Sequence, residues 1–403
     1  MKKFIAMLMA LVLVLGLTAC GGNAEAPAAS DAPAFKVGAI YINSKNDTAG
    51  YTYAHHNGIT TAMKNLGLDV ETQLVIVDEV PEDKQQVLDA VDTLVGEGAN
   101  IIFGISFGYI DAMEEAASIY PDVIFSHGTG YKSNETNFNN YFGRAYQARY
   151  LAGIAAGLKS LEIGNNNVGY VAAYDVQYAE TASGINGFAL GVQAVNPNAK
   201  IYVKTLNFWA DEINEKAYAE ELINAYGCGV ISQHCDSAQP QIAAENAGVF
   251  GCGYNSDMTP DAPKAHQTAA VWNWDVYYAT AMKAAMECGE ASNFVTAMGG
   301  PAYYGGLKEG FVAVSPLSEN CAAGTAEVIA VVEAMMVNGE WDVFSGYKLE
   351  IEAQDADNYS VGSVEADLKD NAGNVIVPAG GASVEDGVIT GTMNYLVEGV
   401  DVV

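Results

Sequence analysis

Apolar and polar positions alternate along this chain with two periods that take turns. Residues 35–42 form a short apolar run, and 51–66 then space their apolar side chains as a helix does. A strand pattern at 74–80 is followed by 82–95, where Val87, Ala90, Val91 and Leu94 fall on one helical face. The run 100–106 is almost wholly apolar, as expected for a strand buried on both faces of a parallel sheet. The pattern predicts further strands at 122–127, 168–174, 200–206, 229–235, 249–254 and 269–272. Helices are predicted at 145–158, 182–195, 212–225, 240–247 and 275–287. Strands separated by helices of ten to fifteen residues imply βαβ units and doubly wound parallel sheets.

The length suits two such sheets, and so two domains, or lobes. One lobe is expected to comprise 35–160 with about 266–325, the other 161–265 with about 326–345. The boundary is placed near 158–166, where Gly164 and three consecutive asparagines break the pattern. Residues 346–403, rich in Gly, Asp and Val, read as a C-terminal extension of short strands and hairpins.

The N-terminus has a different character. Lys2 and Lys3 precede an apolar run from Phe4 to Leu17, too short to span a bilayer comfortably, which ends in Leu17-Thr18-Ala19-Cys20. This is the pattern of a lipoprotein signal peptide over 1–19, with Cys20 as the lipidated residue and 20–34 as a flexible tether of small residues. The expected location is therefore the extracytoplasmic face of the cell membrane, with lipid on Cys20 as the attachment.

Charge narrows the partners. The chain carries 18 basic and 49 acidic residues, a formal net charge of −31, which becomes −33 once Lys2 and Lys3 leave with the leader. Such a surface repels nucleic acid and anionic lipid, so neither is an expected partner. Beyond Cys20 the cysteines are Cys228, Cys235, Cys252, Cys288 and Cys321, an odd number at irregular spacing that suits free thiols better than a disulfide framework or a zinc site. There is no Gly-x-Gly-x-x-Gly after the first strand, no P-loop and no His-Glu-x-x-His, so no cofactor or metal is expected.

Open α/β sheets bind ligands beyond the carboxyl ends of their strands. The residues there are Asp47 and Tyr51 after the first strand, Ser106, Phe107 and Gly108 after the third, and His127 at the end of the fourth. Across the second half they are Tyr174, Phe208 and Trp209, His234 and Asp236, Asn255 and Asp257, and then Trp272, Asn273 and Trp274. Aromatics, carboxylates and amides dominate, with no Arg or Lys among them. That chemistry suits a neutral, flat ligand rich in hydrogen-bond donors, such as a nucleobase or nucleoside.

Several segments together resemble one family. Gly50-Tyr51-Thr52-Tyr53-Ala54-His55, Ser106-Phe107-Gly108-Tyr109, Pro121-Asp122-Val123, Tyr150-Leu151-Ala152-Gly153, Val195-Asn196-Pro197, Gln233-His234-Cys235-Asp236-Ser237 and Trp272-Asn273-Trp274 are similar to the basic membrane protein family. These are purine-nucleoside-receptor type substrate-binding lipoproteins of ABC transporters. The resemblance implies a type I periplasmic-binding-protein fold, two Rossmann-like lobes joined by a hinge, with a purine nucleoside or purine base held between them and delivered to an ABC permease by a monomer. It also implies that Tyr51 and one of Phe208 and Trp209 sandwich the base, and that Asp257 reads a sugar. Two departures stand out: an extra residue lies between Asp47 and Gly50, and Asn273 or Trp274 occupies the place of a family lysine, which makes a free base as suitable as a nucleoside.

Other readings of the same residues are a binding protein for another flat solute such as a flavin, a purine-sensing lipoprotein, and a serine hydrolase. The last rests on Gly104-Ile105-Ser106-Phe107-Gly108, which fits Gly-x-Ser-x-Gly between a strand and a helix, with Asp175 and His234 following in chain order.

Overall fold

The computed structural model describes residues 35–48, 50–355 and 358–403, and the leader, Cys20 and the tether lie outside the described residues. Residues Phe35–Val403 form one compact unit. The first five strands are β1 (Val37–Tyr41), β2 (Leu74–Val77), β3 (Ile101–Ile105), β4 (Ile124–Gly128) and β5 (Phe138–Gly143). They are followed by β6 (Asn167–Ala172), β7 (Lys200–Thr205), β8 (Val230–His234), β9 (Phe250–Tyr254), β10 (His266–Trp272), β11 (Ala302–Gly305) and β12 (Val312–Val314). The first sheet has the order β11-β5-β4-β3-β1-β2 and is parallel throughout. The second begins β12-β10-β9-β8-β6-β7, with only β12 antiparallel. All five residues of β1 and of β3 are buried, as strands covered by helices on both faces require.

Past residue 345 come two antiparallel pairs, β13 (Tyr347–Ala353) with β14 (Tyr359–Glu365) and β15 (Leu368–Lys369) with β16 (Val375–Val377). A short helix, Asp386–Gly391, follows, and β17 (Val400–Val402) then joins the second sheet parallel to β7.

The lobes divide differently from the sequence expectation in two places. The crossing from the first lobe lies at Arg144, not near 158–166. The helix Ala145–Glu162 belongs to the second lobe, where it packs along the helix Ala179–Val195. Glycines set that approach: a Cβ on Gly191 would lie 2.1 Å from the carbonyl of Tyr150, and one on Gly153 2.2 Å from that of Phe188. The Gly-Asn run at 164–167 is only the turn that leads this buried helix into β6. Second, β10 and β12, both within the 266–325 expected in the first lobe, lie in the second sheet, β10 paired with β9 and β12 with β10; the chain enters the first lobe between them, from the helix Trp274–Glu287 to β11. Strand β5 was not expected at all. Its Asn139 and Asn140 mask a fully buried strand by taking partners inside the protein, Asn139 with Tyr277 and Asn140 with the carbonyl of Lys132.

Three connections thus join the lobes: Gly143 to Ala145, Trp272 to Trp274, and Gly305 to Val312. They are tied to one another, with Arg144 N donating to Gly305 O (2.7 Å), Asn273 N to Phe311 O (2.8 Å) and Asn273 Nδ2 to Gly310 O (2.8 Å). Bundled short connections of this kind form a hinge.

Candidate functional site

The carboxyl ends of both sheets face one cleft, and the lobes meet across it. Helix Gly50–Asn65 begins at Gly50 with φ +83°, and its Cα faces Asp236 of the other lobe so closely that a Cβ would lie 3.2 Å from both the Asp236 carbonyl and its Cβ. Near the mouth, Phe107 of the first lobe sets its ring edge against Tyr178 of the second, with centroids 6.4 Å apart.

The first-lobe wall is an aromatic stack. Tyr51 lies against His55 (4.2 Å), His55 stacks on Trp274 (3.9 Å), and Trp274 stacks on Trp272 (4.6 Å) in the hinge. His55 Nδ1 meets Tyr278 Oη at 2.6 Å, and burial pushes the imidazole pKa well down, so this histidine is neutral. His127 is used similarly: its Nε2 meets the carbonyl of Ser106 at 2.7 Å, and burial lowers its pKa to about 4.

Ser106 and Gly108 form a turn bound to Glu82. The Ser106 hydroxyl donates to Glu82 Oε1 (2.5 Å), which also accepts from the Gly108 amide (2.8 Å). This arrangement does not make a hydrolase triad. The serine hydroxyl is bonded to a carboxylate, the nearby His127 contacts the serine's carbonyl, and His234 stands on the opposite lobe beside Glu180.

The second-lobe wall carries charge. Asp236, just past β8, accepts from Asn255 Nδ2 at 3.0 Å, and Asn255 holds φ +65°, a region Asn tolerates better than most residues. Burial raises the Asp236 carboxyl to about 8, and Glu215, Glu180 and, more weakly, Asp47 push it the same way. Glu180, in the first turn of the helix Ala179–Val195, is raised to about 7 by burial, against the pull of Arg149. Arg149 is buried beneath them. One Nη donates to Tyr170 Oη (2.8 Å) and Gln233 O (2.6 Å), and its guanidinium lies 4.0 Å over the Tyr254 ring. Its Nε and other Nη are buried without a hydrogen-bond partner, as are both ring nitrogens of His234 and Oδ1 of Asn255. Buried polar atoms in native proteins are normally satisfied, and the first-lobe wall adds Tyr51 Oη, His55 Nε2 and Trp274 Nε1 to those without partners, so such groups face the cleft from both sides.

Outward from this floor, Tyr174 contacts Tyr178 (4.5 Å) and Trp209 (5.2 Å), and Phe107 also approaches Tyr131 (6.5 Å). Phe107 is 45% exposed and Trp209 36%, so the mouth is an open aromatic rim.

The structure therefore gathers Asp47, Tyr51, Phe107, Tyr174, Trp209, His234, Asp236 and Asn255 around one cleft, with Ser106, Gly108 and His127 shaping its edge. It does not gather four others. Asp257 accepts from Thr259 and faces His266 at 3.5 Å; Phe208 is 63% exposed beside Trp209; Trp272 and Asn273 belong to the hinge. Trp274 contributes from behind Tyr51 and His55. Glu180, Arg149, Tyr178 and Tyr254 were missed. Arg149 had a signal: the chain has only two arginines, Arg144 and Arg149, and the second interrupts an Ala- and Gly-rich helix.

Two parallel-sheet lobes, three hinge connections and a cleft with unsatisfied polar groups define a solute-binding protein. Residues 35–343 match the family described as ABC transporter substrate-binding protein, PnrA-like. The chain belongs to that family. It is 32% identical to a purine-binding protein of Brucella abortus over 335 residues, 82% of this chain and 88% of the relative. It is 31% identical to a putative ABC transporter glucose-binding protein of Haloferax volcanii over 318 residues, 78% and 75% of the two chains. Among solved structures, an ABC transporter solute-binding protein from Conexibacter woesei has a TM-score of 0.61 at 18% identity, covering 77% of this chain and 98% of its own. The protein is thus the substrate-binding component of an ABC transporter. It works outside the cytoplasm with a small-molecule ligand and a permease partner, and no described helix is long and apolar enough to cross a membrane.

Proposed function

We propose that the cleft binds a purine base or purine nucleoside and delivers it to the permease without chemical change. The observation that carries this reading is the pair Glu180 and Asp236, two carboxyls beside the aromatic Tyr51 and Tyr254 in a site with buried, unsatisfied polar groups. Carboxylates accept strongly from ring N–H and exocyclic amino groups, and aromatic faces stack on the ring. The Brucella relative supports a purine. The Haloferax relative favours a second reading, a sugar, because carboxylates also accept from hydroxyls and aromatic faces also cover a sugar ring.

Thermal unfolding of the 35–403 fragment against adenine, hypoxanthine, adenosine, guanosine, riboflavin and glucose separates these. A ligand at a hundred times its Kd adds about 2.7 kcal/mol to stability. A shift with purines alone supports the proposal; a shift with glucose and no purine overturns it. Attachment through lipid on Cys20 is part of the same proposal. Metabolic labelling with a fatty acid, lost in Cys20→Ser, tests it.

A further inference from the structure

The family match ends at residue 343, and the sixty residues beyond it are not a loose appendage. They are fixed to the second lobe at two places. β17 pairs with β7, and Asn186, on the helix Ala179–Val195, donates to the carbonyl of Tyr395 (2.9 Å) and accepts from the amide of Val397 (2.9 Å). Between residue 343 and these anchors, the helix Asp386–Gly391 is set against the hinge. Asp386 takes the Arg144 guanidinium with both oxygens, Nε to Oδ1 at 2.9 Å and Nη2 to Oδ2 at 2.5 Å. The remaining Nη of Arg144 donates to the carbonyl of Tyr304 (3.2 Å) and lies 3.8 Å from Glu309. The Tyr304 hydroxyl lies beside Thr390 of the same helix, whose own hydroxyl donates to the Asp386 carbonyl (2.8 Å). Tyr304 rides on β11, in the first sheet.

We propose that residues 384–403 act as a strap across the hinge, with Asp386 as the positioning residue that holds the two lobes together. The strap is carried by the second lobe and grips Tyr304 of the first, once directly through Thr390 and once through Arg144, so lobe separation must break or stretch both grips. A bidentate, partly buried guanidinium–carboxylate pair is geometrically strict and tolerates little rotation. The strap therefore lowers the population of the open form, and with it the rate at which any solute enters the cleft.

Hydrogen–deuterium exchange of the whole chain, with no ligand added, tests this independently of what the cleft binds. Asp386→Asn should speed exchange several-fold at 106–109 and 174–180, where the lobes touch, while β1 and β6 keep their protection. Thr390→Val, which removes the second grip without touching the ion pair, should act in the same direction with a smaller effect. It also stands in for Asp386→Asn should that chain fail to fold. Faster exchange confined to 384–397, or none anywhere, overturns the strap and leaves the extension as a local structural addition. Because solute is absent, neither result bears on the purine proposal.

Discussion

The two walls of the cleft are built on opposite plans. The first-lobe side is neutral and aromatic: His55 meets Tyr278, Tyr278 meets Tyr141 at 2.8 Å, Ser106 and Gly108 both bond Glu82, and the buried atoms left without partners, Tyr51 Oη, His55 Nε2, His127 Nδ1 and Trp274 Nε1, belong to uncharged rings. On the second-lobe side Arg149, His234 and Asn255 keep buried atoms without partners, and Glu180 and Asp236 hold raised pKa values. A neutral aromatic wall contributes shape and stacking faces, with only uncharged donors and acceptors to offer a solute. A wall of ionisable groups offers stronger recognition, because hydrogen bonds to a carboxylate or guanidinium are charge-assisted. On the proposed function, the first lobe would serve as the lid and the second would read the solute.

Substitutions on the reading wall should have the largest effects. Asp236→Ala is expected to weaken solute binding by about a hundred-fold, the order that follows from losing a charged acceptor worth ~1.5–3 kcal/mol. Glu180→Gln should follow closely. Calorimetric titration with the solute found in the thermal panel measures both, and unchanged affinity in the two variants would reverse the assignment of roles. On the lid, Tyr51→Ala should cost about ten-fold, within the ~1–3 kcal/mol typical of one stacked aromatic; a loss larger than that of Asp236→Ala would mean that the lid does the reading.

The walls should also respond differently to pH. Asp236 and Glu180 have folded-state values of about 8 and about 7, above ordinary carboxyls, so these two groups hold more protons in the folded protein than in the unfolded chain, while below about pH 6.5 the histidines, lowered by burial, hold fewer. Stability without solute should accordingly fall as pH rises through the window from about 6.5 to 8, where the histidines are neutral in both states and the two carboxyls set the slope. Affinity for a donor-rich solute, which needs the ionised form, should rise over the same window. Asp236→Asn should flatten both trends, while the lid variant Tyr51→Phe leaves them in place. The smallest effect is expected from Ser106→Ala, which removes one hydrogen bond to Glu82 at the cleft edge. Affinity should stay within a few fold, and any hydrolytic turnover abolished by this change would restore the serine hydrolase reading.

This asymmetry was partly legible in the sequence. The rule that ligands sit beyond strand ends located Tyr51, Phe107, Trp209, His234 and Asp236, because strand ends can be read from a local pattern. Glu180 escaped because it lies eight residues past β6, inside the helix that follows rather than on the loop. Arg149 escaped because it reaches the cleft floor from a helix assigned to the wrong lobe. That misassignment, like that of β10, has one cause. Which sheet an apolar segment joins depends on partners met only in the folded chain, and apolar periodicity carries no record of the partner. Asp257 shows the converse, since it occupies the right place in the chain but is taken by Thr259 and His266.

Strand β17 bears on how such a molecule is made. Val400 sits opposite Ile201, 199 positions earlier, and seals the outer edge of β7. Until that distant segment arrives, a newly exported chain carries β7 as an uncovered row of amides and carbonyls able to pair with a neighbouring molecule. Closing so long a loop is among the slower steps available to a folding domain. Assembly of the second lobe is therefore set to finish late, and the interval before it finishes is when the protein is most exposed to aggregation and to extracytoplasmic proteases.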